Sequence, residues 1–177
     1  MFLPEKEGFP AKLICGVLYH PDLPWKNLLN ELEHHWGPIE RQSRAYLFSE
    51  GSDYYHREMG PEHYRCFLSF EGVMDPGQLP NIKRQSIAIE QNFAKGFEEC
   101  QRPVNLDPGL IMRGRMVLAT TKDFSHRLYL GEGIYGEVTL LFKKNRIETL
   151  PWTYPDIAAG HYNTTLLEAR LDYEENI

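Results

Sequence analysis

The chain has 177 residues and a formal net charge of −6, with 25 acidic and 19 basic side chains. Hydrophobic residues make up 42% and charged residues 25%, which is typical of globular proteins and excludes a disordered chain, a fibre and a coiled coil. The acidic balance disfavours a nucleic-acid partner, because such binders usually carry a basic surface. Apolar runs fall far short of the ~20 residues that cross a bilayer, so no membrane segment is predicted. The length predicts one domain, residues 1–177.

The cysteines and the N-terminal residues predict a cytoplasmic protein. Cys15, Cys66 and Cys100 are odd in number and form no CxxC pair, so we expect reduced thiols rather than disulfides or a thiolate zinc site. Residues 1–7 have neither the basic region nor the long apolar region of a signal peptide.

The first elements in chain order are a strand, a helix and two further strands. Residues 12–19 are apolar almost throughout, which is typical of a strand buried on both faces. Apolar residues recur at helical spacing over 25–36, and a Gly-Pro pair ends that helix. Alternation of residue character predicts half-exposed strands over 39–48 and 64–71.

A second helix and a short strand complete the first part of the chain. The turn at 75–77 leads to Pro80, which suits the first turn of a helix whose apolar stripe extends to about residue 97. A strand over 104–106 follows. The order is βαββαβ, so the predicted fold class is α+β, with a ferredoxin-like antiparallel sheet over 10–107 and two helices on one face.

Residues 108–177 are predicted to form an extension that packs on this core. Asp107 and Pro108 fit an N-cap and a first helical turn, which predicts a helix over 109–120, although the spacing there also tolerates a strand. A C-terminal β-hairpin and a terminal helix should follow. The predicted strands are 127–130, 134–142 and 146–150, and the predicted helix is 161–173.

Sequence motifs that identify many enzymes are missing from the chain. It contains no P-loop, no GxGxxG, no HExxH and no GxSxG nucleophile elbow. The enzyme classes that these motifs mark are therefore disfavoured, and the pattern leaves open whether the protein is an enzyme.

The segment 104–156 differs from the remainder in charge. It contains seven Lys or Arg and six Asp or Glu, a net +1, so the rest of the chain carries −7. A neutral-to-basic segment in an acidic protein can receive an anion. The alternative is that hairpin tips carry basic residues for solvation, as at 143–146.

Four residues at 122–127 are candidates for chemistry. Histidine is the residue type best suited to general acid–base chemistry near neutral pH, so His126 is a candidate general acid or base, with Asp123 to orient its ring. Lys122 and Arg127 are candidate anion clamps. The alternative is that Asp123 and its Thr and Ser neighbours are turn and cap residues, and that His126 is structural.

Further candidates lie on the strands and in a long connection. Asn105 and Asp107 alternate at a strand end, and Glu137 is expected on a nearby strand, where carboxylates can bind a hard cation. N-capping by Asp107 and solvation of Glu137 are the favoured alternative, so no metal is predicted and any cofactor is unknown. Tyr54 and Tyr55 lie in a long connection and either cover a pocket or plug the core.

The motifs together resemble a prokaryotic family of proteins of about this length, domain-of-unknown-function family 4416. The resemblance covers nearly all of residues 10–156. It is carried by residues 12–16, 37–39, 53–55, 58–60, 104–109, 118–123, 125–127, 133–135, 137–140 and 151–156. It implies no established activity. The chain departs from the family pattern at 47–52, just before the tyrosine pair.

The leading hypothesis is a protein that binds a small anionic or nucleotide-like ligand. The alternative is a non-enzymatic module that docks another protein through its hairpin and the aromatic segment 151–155. The oligomeric state is left open. The predicted catalytic residues are His126 and Asp123, and the predicted ligand-binding residues are Tyr54, Tyr55, Asn105, Asp107, Lys122, Arg127, Tyr135, Glu137 and Trp152.

Overall fold

A computed structural model describes residues 9–48, 57–144 and 146–177. Within these residues, one antiparallel sheet of nine strands and several helices form a mixed α/β architecture. The strands are β1 Lys12–Tyr19, β2 Ile39–Gln42, β3 Tyr46–Leu47, β4 Tyr64–Phe70, β5 Val104–Met112, β6 Arg115–Thr120, β7 Arg127–Gly131, β8 Ile134–Lys143 and β9 Arg146–Thr149. The helices are α1 Trp25–Trp36, α2 Leu79–Ala94, α3 Pro155–Ala158 and α4 Asn163–Glu175.

The strand order across the sheet is β2-β4-β1-β5-β6-β8-β7. β3 extends the sheet beside β4, and β9 pairs with β8. β1 lies centrally between β4 and β5, which explains why its sequence is apolar on both faces.

α1 and α2 cover one face of the sheet. Leu28 and Leu32 of α1 are buried one turn apart, and Ile82 and Ile89 of α2 are buried two turns apart. They pack with strand residues such as Cys15 in one apolar cluster. A short 3-10 helix, Pro76–Gln78, leads into α2, and the carboxylate of Asp75 caps it by accepting a hydrogen bond from the Gly77 N–H at 2.9 Å.

α4 covers the opposite face. Leu166, Ala169 and Tyr173 are buried there against Ile14 of β1 and Phe67 of β4. The sheet is therefore enclosed by helices on both sides along its central strands, and residues of β1 and β5 have apolar neighbours on both faces.

The predicted helix over 109–120 is wrong, and the strand alternative is correct. β5 runs on through Pro108 to Met112 and returns as β6. Pro108 lies opposite Cys15 in the β1–β5 register. Leu110 packs on the α2 side and Ile111 on the α4 side, and this burial on both faces produces a run of apolar residues that also fits helical spacing.

Other predicted elements are present with shifted limits. The predicted strand over 39–48 is two short strands, β2 and β3, separated by three residues. The C-terminal hairpin and the terminal helix are confirmed as β8, β9 and α4. Cys15 and Cys66 are buried, and burial raises the pKa of the Cys66 thiol to about 12. No helix among the described residues has the length and apolar character needed to cross a membrane.

Candidate functional site

β5 and β6 separate partway along their length, and the candidate site lies where they part. They pair from Met112 and Arg115 back to Gly109 and Leu118. Beyond that point, residues 104–108 of β5 still pair with β1, while β6 continues beside β8 to Thr120. At Gly109, the last paired residue of β5, the two strands are in close contact. A Cβ added there would lie 2.3 Å from the carbonyl oxygen of Val117.

At the open edge of β5, two buried side chains of α2 form the backbone hydrogen bonds that a neighbouring strand would otherwise form. The Lys83 Nζ donates to the carbonyl oxygen of Leu106 at 2.6 Å. The Leu106 N–H donates to a carboxylate oxygen of Glu90 at 2.7 Å. The backbone N–H and carbonyl oxygen of Leu106 are thus both paired at the open edge, as buried polar groups usually are.

Burial raises the pKa of Glu90 above its ordinary value, although Lys83, Arg102 and the Leu106 N–H favour its charged form. The charges of Lys83 and Arg102 therefore offset only part of the cost of burying this carboxylate. Its carboxylate holds Arg102 at the open edge of β5 through a hydrogen bond of 2.9 Å.

A polar cavity of about 160 Å³ fills the gap between the strands. We call it the cationic cleft. Its described lining residues are Lys83, Arg102, Asn105, Asp107, Thr120, Thr121, Lys122, Arg127 and Tyr154. Four of these side chains are cations and one is a carboxylate. A surface depression of about 430 Å³ between α1 and the end of α2 has no such concentration of charge. A depression of about 710 Å³ at the ends of β8 and β9 is also cationic, because it is lined by Lys143, Lys144 and Arg146.

Carboxylates outside the lining hold two of the cations in place. Arg102 donates to Glu90 at 2.9 Å and lies 3.5 Å from Glu58. Arg127 donates through Nε to Glu137 at 2.8 Å and through a terminal nitrogen to the carbonyl oxygen of Lys122 at 3.0 Å. Glu90 and Glu137 are not among the residues that line the cationic cleft. The guanidinium groups are therefore oriented before any ligand enters.

Asp107 is the one carboxylate among the described lining residues, and it lies among cations. Its Oδ1 is 3.6 Å from the Lys83 Nζ, and its Oδ2 is 3.8 Å from Arg65 and accepts from Asn105 at 2.8 Å. The predicted N-cap role of Asp107 is wrong, because β5 continues through this residue. Among the described residues, no group of three His, Cys, Asp or Glu side chains is arranged to hold a metal ion.

His126, Glu137 and Trp152 form a second group beside Arg127. The Glu137 Oε2 lies 2.8 Å from the His126 Nε2 and also accepts from Arg127. The His126 ring stacks on Trp152 with centroids 4.6 Å apart, and the Trp152 indole donates to the Val138 carbonyl oxygen at 2.8 Å. The carboxylate bonded to His126 is thus Glu137, whereas Asp123, the predicted partner, is exposed.

Some of the predicted residues meet in this region and others do not. Asn105, Asp107, Lys122 and Arg127 all line the cationic cleft. Tyr135 is half-buried against Tyr129, with ring centroids 5.3 Å apart, and is not in the lining. Tyr54 and Tyr55 lie outside the described residues.

Lys83 and Arg102 are the site residues that sequence reasoning missed. They come from α2 and from the loop before β5, outside the segment 104–156. One signal was available, since Lys83 and Glu90 are seven residues apart and lie on one face of α2, next to the buried Ile82 and Ile89. Tyr154 lines the site as well, and burial raises the pKa of its hydroxyl.

The chain belongs to the family described as Domain of unknown function (DUF4416), whose model matches residues 9–173. No curated protein and no solved structure matches the chain.

Proposed function

We propose that this protein binds a small anionic ligand, with a phosphate or carboxylate group held in the cationic cleft. One observation carries the proposal. Among the described residues, four cationic side chains and a single carboxylate line a cavity of about 160 Å³, in a chain whose formal net charge is −6. A concentration of positive charge in an acidic protein attracts anions and opposes their release.

The partners of the cations support the proposal. Arg102 and Arg127 are held by Glu90 and Glu137 and do not have to become ordered when a ligand binds. Guanidinium groups match the geometry of phosphate and carboxylate oxygens. Thr120 and Thr121 add hydroxyl groups to the lining.

The size of the cationic cleft limits what it holds. Pockets for drug-sized molecules measure roughly 300–1,000 Å³, so a space of about 160 Å³ suits an anionic group rather than a whole nucleotide.

We assign positioning roles to His126 and Glu137. His126 bonds the same Glu137 oxygen that accepts from Arg127, and its ring is stacked on Trp152. Together they fix the orientation of the Arg127 guanidinium. A catalytic role for His126 or Asp123, and a cytoplasmic location, stay predictions from the sequence.

The test is thermal unfolding in sodium phosphate and in sodium chloride of equal ionic strength. We expect phosphate at 100 times its dissociation constant to stabilise the wild-type protein by about 2.7 kcal/mol, a melting shift of several degrees at this size. Lys122→Gln should reduce the shift. Lys26→Gln, which removes the same charge from an exposed position on α1, should not. Equal stabilisation by the two salts contradicts the proposal.

A second candidate function, a protein-interaction module, is favoured by one exposed patch. β7 is an edge strand, and the side chain of Leu128 is 73% exposed. Phe124, Tyr129, Leu130 and Trp152 are also exposed. An apolar edge strand of this kind pairs readily with another strand. Sedimentation velocity tests a second copy as the partner: association with rising concentration that Leu128→Lys abolishes supports this function, and a monomer at every concentration contradicts it.

We also propose that β1, α1, β2, β4, α2 and β5 form a ferredoxin-like unit. The support is the order of these elements along the chain together with the strand order β2-β4-β1-β5, in which all neighbours are antiparallel.

A further inference from the structure

A groove of about 410 Å³ lies beside the cationic cleft, between α2 and the turn that joins β7 to β8. We call it the side groove. Its α2 wall consists of Arg84, Ile87, Ala88 and Gln91, and its other wall is the turn at 132–134. The four helical residues are spaced at i, i+3, i+4 and i+7, so they form one continuous face of α2.

The side groove adjoins the cationic cleft at two places in the chain. Thr121 lines both spaces. On α2, Lys83 faces the cationic cleft and the next residue, Arg84, faces the side groove. A molecule with its anionic group beside Lys83 therefore has its remaining atoms next to the side groove.

The side groove offers apolar contacts with polar groups around them. Ile87, Ala88 and Ile134 supply aliphatic surface, and Gln91 supplies an amide. Arg84 lies 3.4 Å from Glu132 across the groove, and both side chains are mostly exposed. Such a lining suits an uncharged organic group with some hydroxyl or ring nitrogen atoms. A second anionic group in the side groove would be repelled by the carboxylate of Glu132.

We propose that the ligand is a phosphate monoester, with its phosphate in the cationic cleft and its organic part in the side groove. This inference rests on the proposed function and specifies its ligand class. The cationic cleft is too small for such a molecule, but the two spaces together fall within the range that holds drug-sized ligands.

The test is calorimetric titration of the full chain with inorganic phosphate, glycerol 3-phosphate, ribose 5-phosphate and adenosine 5′-monophosphate. We expect at least one monoester to bind about tenfold more tightly than inorganic phosphate. Ala88→Trp should fill the side groove and remove that gain, while the affinity for inorganic phosphate stays unchanged. Ala88 is exposed, and the unchanged phosphate affinity also reports that the variant is folded.

Ala158→Trp is the matched control, because it adds the same side chain at an exposed alanine of α3. It should alter neither affinity. The inference is overturned if no monoester exceeds inorganic phosphate, or if Ala88→Trp weakens both kinds of ligand equally. In those cases phosphate still binds and the proposed function stands. If no probe binds at all, the proposed function fails as well.

Discussion

Glu90 of α2 accepts a hydrogen bond from the backbone N–H of Leu106 on β5 at 2.7 Å. Lys83, two turns earlier on the same helix, donates to the carbonyl oxygen of that residue at 2.6 Å. The helix supplies the acceptor and the donor that an adjacent strand supplies elsewhere in a sheet. The backbone N–H and carbonyl oxygen of Leu106 are therefore both paired, although β5 and β6 are separated at this point.

Lys83→Met should destabilise the protein markedly. The variant keeps most of the aliphatic volume but leaves the Leu106 carbonyl oxygen without its donor and Glu90 with Arg102 but without the charge of Lys83. We expect a loss of about 3 kcal/mol in the free energy of unfolding, measured by urea denaturation. Lys26→Met, at an exposed position, should change it by less than about 0.5 kcal/mol. Equal losses in the two variants would show that Lys83 is not needed at the edge of β5.

Glu90 should make stability depend on pH. Because burial raises its pKa in the folded state, the folded protein binds this proton more tightly than the unfolded chain does. Its contribution to stability is therefore fully present below its ordinary pKa of 4.5 and is lost as pH rises through the raised folded pKa. We expect the wild type to lose stability relative to Glu90→Gln over that interval. A relative gain by the wild type would mean that the pKa of Glu90 is lowered.

Gly109→Ala should also destabilise the fold, for a steric reason. The added Cβ would lie 2.3 Å from the Val117 carbonyl oxygen and 2.6 Å from a Leu118 methyl group, so β5 and β6 would have to move apart. We expect a cost of about 2–3 kcal/mol by urea denaturation. Gly114→Ala is the control, because nothing lies within 4 Å of its added Cβ. Similar stabilities of the two variants would contradict the close approach at Gly109.

Asp107→Asn should strengthen phosphate binding. Asp107 is the one carboxylate in the described part of the lining, so its negative charge opposes an anion there. Removing that charge should increase the affinity for inorganic phosphate about fivefold to tenfold by calorimetry. Asp123→Asn, which neutralises an exposed carboxylate outside the lining, should have little effect. Weaker binding by Asp107→Asn would identify Asp107 as a ligand contact rather than an opposing charge.

The sequence predicted the elements in which burial leaves a regular pattern of apolar residues. β1 is apolar because it is central, and α1 has one apolar face because only one side packs on the sheet. Residues 109–120 were harder to interpret, because burial by α2 on one face and α4 on the other removes the alternation that marks a strand.

The candidate site was predictable where its residues are neighbours in sequence. Lys122 and Arg127 stand in one polar segment, and Asn105 and Asp107 alternate on one strand. Lys83 and Arg102 come from other elements and meet them only through the tertiary fold. The sequence of a helix does not distinguish a charged residue beside the apolar stripe that is solvated from one that is buried against an open strand edge. For this reason the Lys83–Leu106 contact had no unambiguous signal in the sequence.

The most direct test of an anion site between β5 and β6 is to map phosphate binding by NMR on the isotopically labelled protein. Backbone amide shifts are recorded during titration with inorganic phosphate, with sodium chloride of equal ionic strength as the reference. We expect saturable changes concentrated at Lys83, Arg102, Thr121, Lys122 and Arg127, which all require higher phosphate concentrations in Lys122→Gln. Saturable changes centred elsewhere, or changes equal to those in sodium chloride, would contradict an anion site between β5 and β6.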